Sequence, residues 1–264
     1  MIKFNKLFLL LSLILFTVSC TKDESSSEGG GINKSANYKS LGASANDLLS
    51  DENFTSINIE VVYVNGFAPS PEALEGLKSF LQQRAYKPDG INISQRAVSS
   101  SNKAPFDINE IADIERDIRT TFNAGDEISV YIYYADGSNE EDDEIVVLGS
   151  AYFNTSIVMY GKTINETAAQ KDIQKSVIET AVLRHEFGHL FGLVNLGTPA
   201  QSDHIDPFVD SNGNVQEGGH CTVKDCLMQD QLEFGDGVVD FIDNGNIPVL
   251  DDQCITDLQA NGGK

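Results

Sequence analysis

Between residues 56 and 190 the chain alternates between two hydrophobic rhythms. Residues 56–64 alternate and are rich in Ile and Val, which predicts a strand ending at the Asn65-Gly66 turn. Residues 71–84 then take helical spacing, with Pro71 suited to a first turn. Residues 91–93 form a short candidate strand. Residues 107–122 set Ile108, Ile111, Ile114 and Ile118 along one stripe, predicting an amphipathic helix. Alternation returns at 127–134 and stops at Asp136-Gly137. Residues 144–153 and 156–160 give two more strands around an Asn154-Thr155 bend. Residues 169–183 place Ile173, Val177, Ile178, Ala181 and Val182 at three- and four-residue spacing, the signature of a further helix. Strands interleaved with helices predict a mixed α/β (α+β) core. Beyond Gly192 the periodicity fades, apart from short apolar pieces such as 238–242. The last third is therefore expected to be irregular and held by metals or covalent links as much as by a core.

The N-terminus carries a different pattern. Lys3 and Lys6 precede an apolar run over 7–18 that ends in Ser19-Cys20. This reads as a signal peptide over 1–19, too short to be an ordinary membrane-spanning helix. Residues 16–20 resemble a bacterial lipoprotein cleavage box, with Thr17 a departure from the usual Leu. The resemblance implies lipidation of Cys20. The following Thr21-Lys22-Asp23-Glu24 resembles the charged signal that sends Bacteroidetes-type lipoproteins to the outer face of the outer membrane. From 20 to 50 the composition is Ser, Gly, Asn, Lys and acid, which predicts a flexible tether. Residues 51–264 remain as one domain.

Charge narrows the partners. Eighteen basic residues against forty acidic ones give −22, and −24 once Lys3 and Lys6 are removed. There is no Lys/Arg patch for a phosphate backbone, so no nucleic-acid partner is expected. Membrane attachment would come through the N-terminal lipid alone. The acidic run at 140–144 reads as a solvated loop.

The chemistry concentrates in His185-Glu186-Phe187-Gly188-His189-Leu190-Phe191-Gly192, an HExxHxxG run at the end of the last predicted helix. One helical turn separates the two histidines, so both imidazoles leave the same face and can share a zinc ion. Glu186 stands where a carboxylate can serve as general base to an activated water. Gly192 offers a helix stop. All four histidines lie between 185 and 220. A catalytic zinc takes three protein ligands and keeps one open position, so a third ligand is required.

At this point the chain resembles the metzincin clan of zinc metallopeptidases, and within it the archaemetzincins. His220-Cys221, four residues, Cys226, one residue and Met228 reproduce that group's spacing, and 148–152 is similar to the edge strand preceding its zinc helix. The resemblance covers about 145–230. It implies a zincin-like domain with a mostly parallel twisted sheet and an active-site helix. Met228 would lie in a turn as a soft floor beneath the metal. The clan's third-ligand position is Asn195 here, a weak zinc ligand, and 193–219 is longer than the clan's motif. An insertion there makes His220 the expected third ligand, with His204 as fallback and Asn195 or Asp206 behind it. The group also closes a second, structural zinc with a CxxC pair, of which only Cys254 is present. Outside the cell a disulfide among Cys221, Cys226 and Cys254 is the expectation.

The insertion adds oxygen donors. Asp206, Asp210, Asn212, Asn214 and Glu217 crowd around Gly213, a partial match to a calcium loop. The expected activity is zinc-dependent hydrolysis of peptide bonds in proteins or peptides at the cell surface. The rival is a non-catalytic binding or adhesion lipoprotein that keeps a zinc-stabilised fold.

Overall fold

The computed structural model describes residues 32–140, 146–209, 215–233, 242 and 246–264. The signal peptide, Cys20 and the acidic run beyond Glu140 lie outside the described residues.

The core is a five-stranded sheet in the order β2-β1-β3-β5-β4. Its strands are β1 (Ser56–Val64), β2 (Gly90–Val98), β3 (Glu127–Ala135), β4 (Gly149–Phe153) and β5 (Ser156–Tyr160). The first four in that spatial order pair in parallel, and β4 closes the edge antiparallel to β5. The expected mixed α/β class with a mostly parallel sheet is what the chain adopts. β3 is buried at every residue from Ile128 to Ala135, as a parallel strand covered on both faces must be. One face carries Ile57, Ile59, Val61, Val130 and Ile132 and packs on α2 (Pro71–Arg84) and α5 (Lys175–Leu190). The other carries Val62, Tyr131, Tyr133 and Tyr160 and packs on Ile111 and Ile114 of α3 (Ile108–Ile118). Asp107 caps α3 by accepting hydrogen bonds from the amides of Asn109 and Glu110.

Polar chemistry locks the α3 side. Arg119 and Glu115 form a fully buried ion pair at 2.7 Å. Arg119 also donates to the Thr121 and Ser129 carbonyls, and the Ser156 hydroxyl donates to Glu115. The extra bonds matter, because a buried pair without them would cost more in desolvation than it returns.

Three expectations are corrected. The stretch before residue 51 is not all tether. A 3₁₀ turn (Lys34–Asn37) and α1 (Ala45–Leu49) belong to the same compact unit as the sheet, which begins at Ile32. Leu48 and Leu49 are fully buried, and Asn37 donates to Asn123, Ser129 and Thr155. The composition of 32–50 is polar, yet two leucines and one asparagine suffice to dock it. The helix predicted over 169–183 is in fact two helices, α4 (Gly161–Lys171) and α5. They break at Asp172, whose φ of 54° ends α4 in the left-handed region. The short strand at 91–93 is the start of a longer one, since pairing with β1 rather than its own hydrophobicity defines β2.

The last third adds an antiparallel hairpin, β6 (Ile205–Val209) with β7 (Val215–Cys221), a 3₁₀ turn (Asp230–Leu232) and α6 (Asp252–Ala260). The segment after α5 thus holds a two-stranded ribbon, whose second strand ends at Cys221. Among the described residues no helix is long and apolar enough to cross a membrane.

Because Leu49 is fully buried, Leu49→Ala is expected to cost about 2–5 kcal/mol in chemical denaturation. A fragment starting at residue 51 should melt well below one starting at residue 32. Equal melting of the two fragments would return 32–50 to the role of tether.

Candidate metal centre

α5 carries the motif and is buried over most of its last three turns, from Ile178 to Leu190. Packing against both α2 and β4 leaves it no solvent face near the motif, which puts His185, Glu186 and His189 inside the protein. Gly192 ends the run with a φ of 71°, and its carbonyl accepts from the Thr198 amide. A Cβ at Gly192 would sit 2.8 Å from that amide nitrogen, so the turn requires glycine.

The third histidine arrives on β7, which runs through Gly218 and Gly219 to His220. The ring centroids of His185, His189 and His220 lie 4.7, 5.5 and 5.6 Å apart. His185 Nε2 and His189 Nε2 are 3.0 Å apart. His185 Nδ1 lies 2.7 Å from the Leu227 carbonyl. A carbonyl only accepts, so Nδ1 carries the proton and Nε2 keeps its lone pair for a metal. Burial, then His220, brings the His185 pKa down to about 4. Burial and the neighbouring imidazoles hold His189 well below its ordinary value. Both are therefore neutral at pH 7, the form that ligates.

Glu186 is fully buried beside them. The Ala151 amide of β4 donates to its Oε2 at 2.7 Å, and Oε1 has no hydrogen-bond partner. Burial, then the charge of Glu233, pushes its pKa well above the carboxylate range. Glu233 is the residue the sequence reading missed. Its Oε2 is 3.0 Å from His220 Nε2, and one donor atom each from His185, His189, His220 and Glu233 falls within a 4.8 Å span. No motif spacing marks it, because a turn after Met228 brings it in.

Met228 is fully buried under the helix. A Cβ at Gly188 would stand 2.2 Å from its sulfur, so the glycine inside the motif is what lets the thioether sit there.

The other candidate residues go elsewhere. His204 lies 3.2 Å from Asp257 and 3.7 Å from the Cys254 sulfur, not in the group with His185 and His189. Asn195 is exposed and its side-chain oxygen accepts from the Ala200 amide. Asp206 is exposed on β6, while Asp210, Asn212 and Asn214 lie outside the described residues. Glu217 is in β7.

The disulfide expectation is also corrected. Cys221, Cys226 and Cys254 are free, buried thiols that converge with Asp251 in a second four-donor group. Cys226 and Cys254 sulfurs are 3.7 Å apart, and Cys221 lies 3.3 Å from Asp251. Ligands at a zinc–sulfur distance of 2.3 Å stand about 3.8 Å from one another in a tetrahedron, so the spacing suits a shared ion better than a covalent bond. Hydrogen bonds from Cys226 and Cys254 draw the Cys221 thiol down to about 5, which supplies a thiolate. Asp251 precedes Cys254 by three residues. In a chain with forty acidic residues that DxxC spacing by itself carries no metal signal.

No family model matches the sequence, and no curated protein matches it either. Among solved structures the chain is similar to the archaemetzincin from Methanopyrus kandleri, with a TM-score of 0.49 and 14% identity over 78% of this chain and 96% of that one.

Two outcomes check the electrostatics and the cysteines. In the metal-free chain His185 binds a proton near pH 4 when folded and near pH 6.5 when unfolded. The unfolded chain binds more protons between those values, so the His185 contribution is complete above about pH 6.5 and is lost as pH falls toward 4. Its size is about 3 kcal/mol. It reads as the difference in denaturation midpoint between wild type and His185→Asn, since the raised Glu186 pKa acts in the opposite direction. A difference that stays constant from pH 7 to 4 would contradict the buried neutral imidazole. Thiol titration of the native protein should find Cys221, Cys226 and Cys254 protected until a strong chelator is added. An intact mass two hydrogens short would reinstate the disulfide.

Proposed function

We propose that the chain is a zinc-dependent hydrolase of peptide bonds, with His185, His189 and His220 holding the ion and Glu186 as general base. The observation that supports this most is the pairing of two neutral imidazoles, His185 with its tautomer fixed by the Leu227 carbonyl, with a buried carboxylate that keeps one oxygen unpartnered. A zinc ion bound there would supply a Lewis acid for the substrate carbonyl and make water acidic near neutral pH.

The chain's own residues do the rest. The Ala151 amide fixes Glu186 through Oε2, leaving Oε1 to accept a proton from the attacking water and pass it to the leaving amine. Its raised pKa favours holding that proton until the amine leaves. β4 ends the sheet order, so an extended peptide can add beside it and bring its carbonyl past Glu186. The Leu227 carbonyl holds the His185 ring against rotation. The cysteine group would carry a second, structural ion that fixes the segment delivering His220.

The same reading places the protein on the outer surface of the outer membrane as a lipoprotein anchored through Cys20. A Cys20→Ala variant should lose incorporation of labelled fatty acid and leave the membrane fraction.

One observation favours the non-catalytic alternative: the histidine group has a fourth protein donor, which is the mark of structural zinc sites. Elemental analysis with a peptide-library digest separates the two. Near one zinc per histidine site should persist in Glu186→Ala, while hydrolysis falls by at least about 100-fold. His220→Ala should lose that zinc. Hydrolysis persisting in Glu186→Ala would overturn the mechanism, and zinc without any hydrolysis in wild type would favour the binding-protein reading.

A further inference from the structure

The carboxylate at the edge of the histidine group has no part in the mechanism above, yet its position is specific. We propose that Glu233 is a resident ligand of the ion held by His185, His189 and His220. The resting site is thereby closed by the chain itself and opens when Glu233 swings out. This rests on the zinc reading and says how that site is restrained.

Three observations carry it. Donors bound to zinc at 2.0–2.1 Å stand about 3.3 Å apart in a tetrahedron. The two edges measured here are both 3.0 Å, His185 Nε2 to His189 Nε2 and His220 Nε2 to Glu233 Oε2. Glu233 is thus spaced from His220 as one ligand is from another. The second observation is exposure. His185 and Glu186 are fully buried and His189 nearly so, whereas the Glu233 and His220 side chains each keep a fifth of their surface. The solvent-facing corner is the one from which a ligand can exchange. The third is the attachment of Glu233. Its carbonyl accepts from the Leu148 amide at 2.9 Å, at the residue preceding β4. Glu233 is thereby tied to the backbone that leads into β4, the edge strand beside which a peptide would add.

Glu186 separates a latched site from a purely structural one. Four protein donors alone would hold a structural ion and leave no use for a second, fully buried carboxylate with an unpartnered oxygen, which is costly to bury. A site that keeps Glu186 poised and also carries a fourth donor is built to be opened.

The test uses the full chain loaded with cobalt in place of zinc, in wild type and Glu233→Ala. Azide binding is followed by the visible absorption of the cobalt, and metal content is measured in parallel. The expected result is one cobalt in the histidine site of both proteins, with azide binding at least about tenfold tighter in the variant, since it no longer displaces a carboxylate. The variant should also release its cobalt faster to a chelator. Equal azide affinity at equal metal content would overturn the latch and leave the three-histidine site standing. Failure of the wild type to take cobalt or zinc at that site would overturn both. If Glu233→Ala does not fold, Glu233→Gln keeps the side chain's shape and is read by the same titration.

Discussion

The hydrogen bond from His185 Nδ1 to the Leu227 carbonyl joins the two halves of the site. On one side is α5, buried between α2 and the sheet edge and unable to rotate. On the other is the segment from His220 to Met228, which has little regular structure of its own. Leu227 also donates to the Val249 carbonyl, and Cys221 donates to that of Met228. The segment is thus tied to the helix, to itself and to the chain that leads into α6. Break the Leu227 contact and His185 loses its tautomer, Met228 its place beneath Gly188, and His220 its distance from the helix.

The two donor groups share that segment. His220 belongs to one and Cys221 to the other, a single peptide bond apart, and Cys226 and Met228 bracket Leu227. An ion in the cysteine group would therefore set the backbone from which His220 projects. A loop with few apolar residues cannot hold a ligand to within a few tenths of an ångström by packing alone, whereas a bound ion can. His204 and Asp257 back the cysteine group in the same way that Leu227 backs His185.

The electrostatics follow from burial. Neutral His185 and His189, a protonation-prone Glu186 and a partly exposed Glu233 lie together in a protein whose net charge is −22. A divalent cation is the natural counter-charge for two carboxylates placed this close to three imidazoles. His185 and His189 stay available to it because desolvation keeps protons off them at neutral pH.

Hydrophobic period and turn residues were enough to locate β1, α2, β3 and β5 nearly to the residue, and α3 apart from its last turn. These elements bury a face set by their own spacing, so local pattern and tertiary need agree. The motif on α5 was equally legible, because two ligands one turn apart are a property of a single helix. What the sequence could not decide lies where contacts between distant segments make the geometry. Residues 32–50 look like linker until Leu48 and Leu49 join the core and Asn37 finds partners more than eighty residues away. Glu233 and Asp251 look like two more carboxylates in an acidic chain. Only the return of the last third over α5 puts one against His220 and the other among three thiols, and it also separates His204 from the site that His220 joins. Helix and strand are written in near neighbours along the chain, but a metal site assembled from loops is fixed by where the backbone comes back.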